Sequence, residues 1–430
     1  MKDKYKYKDS TFLEDLVEYE NRNMERLEKP ISYIIDGGIV LPFKPEAQGS
    51  VKGKGGVLDH SGTYIHESAT EIEEIMPCGY EIDSHSIMWV DQRVVYLGYF
   101  LPQWGHFLVD FLPRLWWLLE NDKDATLVYL SANSTISDNY LRVLELFGIS
   151  KEQLLRVEIP MQFASVVVPE MSLKRPYYFT KEYKDLISKI VSAVPEQRVY
   201  KKIYWTRTEF ERAQQCEIGE KRIEKLFAKN GYKVLSPEKC SVEEQIFWFN
   251  HCNEFAALSG TIPHNVIWMA ATSQLDKERR VIILNKTHRI NTIQCLLNSF
   301  AGIEAIYVDC NYSLFPVSPG GGPFWVDIND NLRSFAKDEK FTVGNEGKVL
   351  RKLRIRRQYI KYCLMYSQMV RKSDMDLDGC IIASSRPFGE GKEKKKTYFV
   401  YRDKLGDFPA FSSTWDFMKK ILKKIKRKLL

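Results

Sequence analysis

Residues 201–260 read KKIYWTRTEFERAQQCEIGEKRIEKLFAKNGYKVLSPEKCSVEEQIFWFNHCNEFAALSG and alternate between two kinds of segment. The runs KIYW, KVL and EFAAL are short, apolar and bounded by polar or turn residues, which is typical of buried strands. The segments EKRIEKLFAKN and VEEQIFWFNH carry apolar residues at three- and four-residue spacing, which predicts helices. Strands that alternate with helices form a parallel sheet covered by helices. This stretch therefore predicts an α/β fold.

The same alternation extends in both directions from this stretch. Downstream follow helix PHNVIWMAA, strand RRVIILN, helix NTIQCLLNSFAG and strand AIYVDC. Upstream, short apolar runs between residues 31 and 95 lead into a long apolar helix from about Gly105, then strand ATLVYLS, helix SDNYLRVLELFG, strand SVVVPE and helix TKEYKDLISKIVSAV. The alternation restarts near residue 195. We therefore predict two doubly wound, Rossmann-type α/β units that face each other across a cleft.

The predicted chain organisation has four parts. Residues 1–30 form an exposed charged helical arm, residues 31–195 a first α/β domain and residues 196–345 a second one. Residues 346–430 form a C-terminal helical appendix with a basic helix, a loop FGEGKEKKKT and a terminal helix. Ligands of doubly wound sheets bind beyond the carboxyl ends of the strands. Functional side chains are therefore expected at those strand ends.

Composition and charge narrow the class of protein. Of the 430 residues 44% are hydrophobic, which provides a large core, but no apolar run reaches the ~18 residues that span a bilayer. The N-terminus lacks the apolar segment of a signal peptide, so we expect a cytoplasmic protein. The eight cysteines form no C-x-x-C pair, which argues against a zinc ribbon or a disulfide framework. Residues 416–430 account for six of the seven net positive charges, so no nucleic-acid partner is expected.

The stretch WGHFLVDFLPRLWWLLE, residues 104–120, predicts a buried helix because it is apolar on nearly every side. His106, Asp110 and Arg114 interrupt it at four-residue spacing, so on a regular helix they share one face. Such a stripe is expensive to bury unless it is paired or lines a polar cleft. Either it is functional, or Asp110 and Arg114 form a structural ion pair and His106 caps the helix. Pro113 is expected to kink the helix near Val109.

The residues that follow two strands of the second unit predict a binding site for an anion. Arg207 follows the first strand, with Arg212 soon after, and a guanidinium fork matches phosphate oxygens. The strand EFAAL runs into a turn and an apolar helix, where Pro263 suits a first helical position and free N–H groups attract anions. The candidate residues of this turn are Ser259, Gly260, Thr261, His264 and Asn265. The alternatives are a surface arginine and an ordinary strand-to-helix turn.

Two further motifs are rejected as sites. Asp374, Asp376 and Asp378 resemble the opening of a calcium loop, but the twelfth position is Ser385 instead of Glu. The same run resembles a D-x-D metal motif, yet it lies in the appendix, so a solvated acidic loop is the better interpretation. Residues 320–323, GGGP, follow no helical pattern and indicate a turn. No metal site is therefore expected.

Taken in order, these features resemble glycosyltransferase family 61, whose bacterial members are often associated with capsular polysaccharide biosynthesis. The resemblance covers about residues 90–310. It rests on a G-H-[FW]-x-x-[DE]-x-x-P-R block at residues 105–114 and a T-R strand end at Thr206 and Arg207. An S-P-E-x-x-S-x-x-E-Q-I stretch at residues 236–246 and a glycine-containing loop before Asn265 complete it. Many members carry P-H-G-A-G where this chain has LSGTI, and His264 either substitutes for that histidine or is unrelated to it.

The resemblance implies a GT-B-like architecture, inversion at the anomeric carbon and no obligatory metal. We then expect transfer from a nucleotide-sugar, with UDP as the nucleotide, to a glycan or lipid-linked acceptor in capsular or surface polysaccharide synthesis. Residues 31–195 would form the acceptor side and residues 196–345 the nucleotide-sugar side. The alternatives are a non-catalytic nucleotide-sugar or glycan-binding subunit of a membrane-associated complex, and a membrane-surface scaffold.

The expected roles follow from the chemistry of an inverting transfer, which needs a base and stabilisation of the departing diphosphate. Asp110 is expected to be the base, with His106 orienting it or exchanging roles with it. Arg114 is expected to hold this pair or an acidic acceptor. The diphosphate side is assigned to Arg207, Arg212 and residues 259–261, and the nucleoside to Glu238.

Residues 414–430 have the pattern of an in-plane amphipathic helix. Trp415, Met418, Leu422, Ile425 and Leu429 fall at three- and four-residue spacing, and basic residues lie mainly off that stripe. We expect this segment to bind an anionic membrane, which would make the protein peripheral on the inner face of the cell membrane. A solvated basic tail is the alternative.

Overall fold

The computed structural model describes residues 4–9, 12–48, 50–70, 79–83, 86–132, 134–195, 202–270, 279–288, 291–312 and 322–372. It has a mixed α/β architecture built on two main sheets. Among the described residues, no helix combines the length and hydropathy needed to cross a membrane. The acidic run at residues 374–378, residues 320–321 and the basic segment 414–430 lie outside the described residues.

The first half builds a seven-stranded sheet in the order β3-β2-β7-β4-β5-β6, and β1 pairs with the C-terminal part of β7, beyond the residues that pair with β2. Its strands, with the hairpin β8–β9 that follows, are β1 (Ser32–Asp36), β2 (Ile39–Pro45), β3 (Gly53–Leu58), β4 (Met88–Tyr99), β5 (Thr126–Leu130), β6 (Leu154–Arg156), β7 (Met161–Pro169), β8 (Leu173–Lys174) and β9 (Tyr178–Phe179). Its helices are α1 (Leu13–Glu20), α2 (Trp104–His106), α3 (Asp138–Phe147) and α4 (Lys181–Ser192).

This sheet is mixed, so the prediction of a doubly wound first unit is correct only in part. Strands β4 to β7 are parallel, but β1 and β2 run antiparallel to β7, and β3 runs antiparallel to β2. Residues 31–58 contain no helical crossover, and consecutive strands joined by short turns must pair antiparallel. The three N-terminal strands therefore extend the parallel part of the sheet with antiparallel strands.

The second half builds a five-stranded sheet and a separate two-stranded sheet. Its strands are β10 (Lys202–Trp205), β11 (Glu217–Ile218), β12 (Lys233–Leu235), β13 (Glu254–Leu258), β14 (Arg280–Asn285), β15 (Glu304–Asp309) and β16 (Phe324–Trp325). Its helices are α5 (Glu211–Cys216), α6 (Glu220–Lys229), α7 (Val242–His251), α8 (Thr292–Ala301), α9 (Asp330–Asp338) and α10 (Lys348–Lys372).

The strand order of the second sheet is β12-β10-β13-β14-β15, and every pairing in it is parallel. The strand order changes direction between β10 and β13. The crossover from β10 leads to β12 on one side of β10, and the next crossover leads to β13 on its other side. Doubly wound sheets bind ligands at the carboxyl ends of the two strands that flank this reversal. In this chain those ends are Arg207 and Ser259, each just past its strand.

The two sheets share one hydrophobic core. One buried cluster contains Val95 and Leu127 of the first sheet together with Ile203 and Phe255 of the second. Between the sheets lie α4, α7, α8, the helical segment that begins at α2, and the 3₁₀ helix Ile262–Met269. The described residues therefore join the two halves through packed helices, whereas the sequence predicted two units that face each other across a cleft.

The N-terminal arm is packed, although the sequence predicted an exposed one. Tyr7 forms a parallel bridge with Val308 at the edge of the second sheet, and its hydroxyl donates to Asp338 at 2.6 Å. Leu16 of α1 is buried in the shared core. The apolar residues among the charged ones thus pair the arm with β15, a sheet edge that would otherwise leave its backbone groups unpaired.

Helix α10 forms the start of the predicted appendix. Arg354 donates to Glu346 at 2.8 Å and to Gln358 at 2.8 Å, and the ring of Tyr362 lies 5.9 Å from that of Trp325 in β16. Arg354 also donates to Asp327, which follows β16, so this bond and the Tyr362 ring contact fasten the helix to the second half. The rest of the appendix lies outside the described residues.

Candidate active site

The segment 104–119 changes helix type twice. It begins as the α-helical turn Trp104–His106, continues as a π-helical turn, Phe107–Phe111, and ends as a 3₁₀ helix, Leu112–Leu119. Pro113 lacks an N–H group and sits in the first turn of the 3₁₀ part, where none is needed. The kink that the sequence predicted near Val109 is replaced by this change of winding. Single π turns within helices occur frequently at functional sites.

His106 and Asp110 form a bonded pair across the π turn. His106 Nδ1 donates to Asp110 Oδ2 at 2.7 Å, because a carboxylate can only accept. The other oxygen, Asp110 Oδ1, accepts from Arg175 Nε at 2.6 Å. The Asp110 side chain is 6% exposed and that of His106 is 25% exposed. The carboxylate is therefore buried and held on both sides, and the imidazole lies closer to solvent.

Arg114 belongs to a different environment, and the predicted pairing with Asp110 is wrong. Its guanidinium donates to the carbonyl oxygens of Glu67 at 2.8 Å, Ala69 at 3.0 Å and, more closely, Pro169. A π turn takes more residues per turn than an α-helix and a 3₁₀ helix takes fewer, so positions 110 and 114 do not share a face. Burial lowers the pKa of Arg114. This residue ties the loop at 67–69 to the end of β7.

Two cations meet beside Gly260 at the strand-order reversal. Gly260 has φ +143°, and a Cβ placed on it would lie 3.8 Å from Lys286 Nζ and 4.0 Å from Arg207 Nη1. Both side chains also bond to Glu217 Oε1, Lys286 Nζ at 2.7 Å and Arg207 Nε at 3.1 Å. Burial lowers the pKa of Lys286, and Glu217 opposes that effect. Two cations against one carboxylate leave a positive excess over a glycine that admits close approach of a ligand.

The backbone at Arg207 is fixed by the first turns of α6. Arg207 N donates to Glu220 at 3.0 Å, and Thr206 Oγ1 donates to Glu224 at 2.9 Å. Burial raises the pKa of Glu220 to about 7. The T-R strand end is therefore anchored by Thr206, which leaves the Arg207 guanidinium to face Gly260.

His264 brings the two halves together. A Cβ placed on Gly105 would lie 3.2 Å from His264 Cδ2 and 3.4 Å from Thr261 Cγ2, so α2 packs directly on the turn after β13. Gln294 Nε2 donates to Pro263 O at 3.0 Å and to Asn298 Oδ1 at 2.8 Å, so its amide oxygen faces His264. His264 Nδ1 donates to that oxygen at 2.7 Å. Burial lowers the pKa of His264 to about 4, which leaves Nε2 an acceptor at neutral pH.

We call His106 and Asp110 the dyad, and Arg207 and Lys286 the cation pair. His106 directly follows Gly105, and the cation pair lies beside Gly260, next to the turn that Gly105 contacts. Residues 104–275, which contain the dyad, Arg207 and the turn after β13, match the family model described as Glycosyltransferase 61. Over these residues the chain is similar to glycosyltransferase family 61. This similarity supports a glycosyltransferase, an enzyme whose substrates are a sugar donor and an acceptor. No curated protein matches the chain.

Three of the donor-binding residues predicted from the sequence, Asn265, Glu238 and Arg212, do not face the cation pair. Asn265 Oδ1 accepts from Trp104 Nε1 at 2.8 Å and from Trp268 Nε1 at 2.9 Å, so this side chain joins the halves. Glu238 is exposed after β12 and accepts from Ser236 at 2.5 Å. Arg212 is exposed on α5. Of the donor residues predicted from sequence, the structure brings Arg207, Ser259, Gly260, Thr261 and His264 together.

Part of the S-P-E-x-x-S-x-x-E-Q stretch at residues 236–245 has a structural role in the glycosyltransferase. Ser241 Oγ accepts from Glu244 N at 3.1 Å, and Glu244 Oε2 accepts from Ser241 N at 2.7 Å, which is a capping box at the start of α7. Gln245 Nε2 donates to Pro237 O at 3.0 Å. These bonds fasten the loop after β12 to α7.

Two charged residues of the site were missed from the sequence. Lys286 directly follows β14, so the rule of carboxyl strand ends that selected Arg207 could also have found it. Arg175 lies in the turn between β8 and β9, and its local sequence carries no signal for contact with Asp110. Lys8 of the arm, which pairs with Asp309 at 3.2 Å, also reaches a small gap of about 20 Å³ beside Ser259 and Gly260.

One cluster of the glycosyltransferase has metal-binding residue types. Asp9, His288 and Asp309 each offer a ligand atom, and these atoms lie within 4.8 Å of one another. Asp309 already accepts from Asn285 Nδ2 at 2.7 Å, Asp9 N at 2.9 Å and Lys8 Nζ at 3.2 Å. A cation there would have to compete with the Lys8 ammonium for the same carboxylate.

Proposed function

We propose that this protein transfers a sugar from a nucleotide-sugar donor with inversion at the anomeric carbon, and that UDP is the nucleotide. The contact at Gly105 carries this proposal, because it sets an Asp-bonded histidine next to the turn that adjoins two cations. A base for the acceptor hydroxyl and positive charge for the departing diphosphate are the two requirements of an inverting transfer. We extend the proposal to a GT-B-like arrangement, with the acceptor on the first half and the donor on the second.

His106 is the better base of the pair. Both oxygens of Asp110 are engaged, by His106 and by Arg175, whereas no described residue bonds to His106 Nε2. Asp110 holds the Nδ1–H tautomer and stabilises the imidazolium that forms, as carboxylates do in Asp–His pairs. Of the two arrangements that the sequence left open, the geometry favours the exchanged roles: His106 as base and Asp110 as its positioning residue.

In the proposed step, His106 Nε2 takes the proton of an acceptor hydroxyl while that oxygen bonds to the anomeric carbon. The bond from this carbon to the diphosphate breaks on the opposite face, and its electron pair leaves with the nucleoside diphosphate. Arg207 and Lys286 balance the charge that develops on the diphosphate. His264 is neutral and its Nε2 accepts, so it suits a hydroxyl of the donor better than a phosphate.

Arg207→Ala is expected to weaken UDP binding by ~1.5–3 kcal/mol, the scale of a hydrogen bond to a charged group. Its removal also leaves Glu217 paired with Lys286 alone, which eliminates the positive excess beside Gly260. Calorimetric titration with UDP measures the effect. Arg142→Ala is the matched control, because Arg142 is a surface residue paired with Glu145 and Glu243. Equal UDP affinity in folded Arg207→Ala and in the control would remove Arg207 from the donor site.

We propose that no divalent metal is required, because Arg207 and Lys286 supply fixed positive charge where the diphosphate would lie. Turnover in excess EDTA is therefore expected to stay within about twofold of turnover without it. Loss of activity in EDTA that manganese restores would overturn this proposal. The Asp9, His288 and Asp309 cluster would then be the first place to substitute.

Capsular or surface polysaccharide synthesis, with a glycan or lipid-linked acceptor, is the proposed setting. A screen of UDP-, GDP- and CMP-sugars for thermal shift and for nucleotide release by the purified protein tests donor and activity together. Donor binding without any turnover, with or without acceptor, would instead indicate the non-catalytic binding subunit.

We also propose that the protein is cytoplasmic and peripheral on the inner membrane face through residues 414–430, which lie outside the described residues. Each basic residue near an anionic surface adds ~1 kcal/mol. Truncation after Ser413 is expected to abolish cosedimentation with anionic liposomes, and the full chain should not bind neutral ones. Equal cosedimentation of the full and truncated chains would refute the role of this segment.

A further inference from the structure

Helix α10 presents an apolar stripe to solvent. Its members are Val349, Leu350, Leu353 and Leu364, each of which is between 43% and 72% exposed. At the pitch of an α-helix these four side chains lie within an arc of about 100°. The opposite side of the helix is packed, since Tyr362 is buried against β16. Single exposed apolar residues are ordinary on a protein surface, but a contiguous stripe indicates an interaction surface.

Positive charge borders this stripe. The 25 residues of α10 include nine Lys or Arg and no Asp or Glu. Lys352 and Arg356 are exposed on one side of the stripe, Lys361 is exposed on the other, and Arg357 lies among the leucines. Exposed leucines combined with dense positive charge are the pattern of a helix that lies in the plane of an anionic bilayer.

Charge and apolarity together select the occupant of this face. A second copy of α10 would bring a face of the same sign, and so would the basic segment 414–430, and like charges oppose association. A polynucleotide would match the charge through its phosphates but would leave the leucines without an apolar partner. An anionic lipid surface satisfies both requirements, because the acyl region accepts the leucines and the headgroups attract the basic side chains.

We propose that the exposed face of α10 docks on an anionic phospholipid surface and sets the orientation of the second half on the membrane. This contact is separate from the segment 414–430 and does not depend on the chemistry of sugar transfer. One weak anchor gives marginal binding, and stable attachment takes two. The segment 414–430 therefore recruits the protein, and α10 docks once its effective concentration at the surface is high.

Leu353→Gln in the full chain tests this surface, because it removes apolar area from the stripe without changing the charge. Binding to vesicles of phosphatidylcholine and phosphatidylglycerol in equal parts is expected to weaken about tenfold, the effect of losing the burial of one leucine. Leu27→Gln is the matched control, since Leu27 is 88% exposed on the first half, and it should bind like wild type. Cosedimentation over a lipid titration measures the affinity.

The charge of the face is tested in the same assay. Arg356→Gln is expected to weaken vesicle binding about fivefold, the effect of one basic residue near an anionic surface. Arg142→Gln, on the surface of the first half, is its control and should leave binding unchanged. UDP affinity is measured on the same preparations and should match wild type in all four variants, so failure of the donor chemistry is recognised separately. Truncation after Ser413 reports on the tail alone.

Four results would overturn the proposal. The first two are failure of the wild-type chain to bind these vesicles, and equal binding of Leu353→Gln and Leu27→Gln. If Arg356→Gln weakened binding but Leu353→Gln did not, the face would be a purely electrostatic patch, suited to a polynucleotide. Finally, a lower melting temperature of lipid-free Leu353→Gln would show that another part of the chain covers the stripe, and a wild-type dimer that Leu353→Gln dissociates would show that a second copy does.

Discussion

His106→Gln is expected to lower turnover by ~10²–10⁴-fold, the usual contribution of a general base, while UDP affinity stays close to wild type. Both oxygens of Asp110 are engaged, whereas no described residue bonds to His106 Nε2, so this nitrogen is the atom of the pair that can take a proton. Glutamine retains polarity at this position but cannot take a proton at neutral pH. Turnover and UDP affinity on the same preparation measure the effect. A folded His106→Gln protein with wild-type turnover would place the base elsewhere.

Asp110→Asn separates the two roles within the dyad. Asparagine keeps the shape but can present an N–H group to His106 Nδ1, which would favour the wrong tautomer, so turnover should again fall by ~10²–10⁴-fold. It also leaves Arg175 without its carboxylate, so some loss of stability is expected. Melting temperature and turnover are therefore measured together. A stable, inactive protein supports the catalytic role of the dyad, and an unstable protein with full turnover per folded molecule contradicts it.

Arg114→Met is expected to lower the free energy of unfolding by about 3 kcal/mol with little change in turnover per folded molecule. The substitution leaves the carbonyl oxygens of Glu67, Ala69 and Pro169 without their donor, and an unsatisfied buried polar group costs about 1–3 kcal/mol. The substitution also removes a buried guanidinium charge, and this gain offsets part of the cost of the three unpaired carbonyl groups. Urea unfolding monitored by tryptophan fluorescence measures the change.

The surface variant Arg142→Met is the control for this substitution, and it should change the unfolding free energy by less than about 0.5 kcal/mol. The outcome that would restore Arg114 to the catalytic set is a stable Arg114→Met protein that has lost turnover.

Several features of the fold and site could be predicted from local sequence. The α/β class follows from the alternation of buried strands and amphipathic helices, and the parallel second sheet confirms it. The bond between His106 and Asp110 follows from their four-residue spacing, which persists through the change of winding. Arg207 and Gly260 follow from the rule that ligands bind at carboxyl strand ends. Each of these depends on backbone hydrogen bonding over a few residues, which the sequence encodes directly.

Other features were decided only by tertiary packing. The π and 3₁₀ turns separate Arg114 from Asp110, and Arg175 arrives at Asp110 from a turn 65 residues away in sequence. The antiparallel strands of the first sheet, the packed arm and the core shared by both halves depend on which surfaces find partners after the elements form. Periodicity records which face of an element is buried, but not what covers it. By itself the sequence therefore determined the elements and the two strand ends at Arg207 and Gly260, and long-range packing decided which charged groups lie beside them.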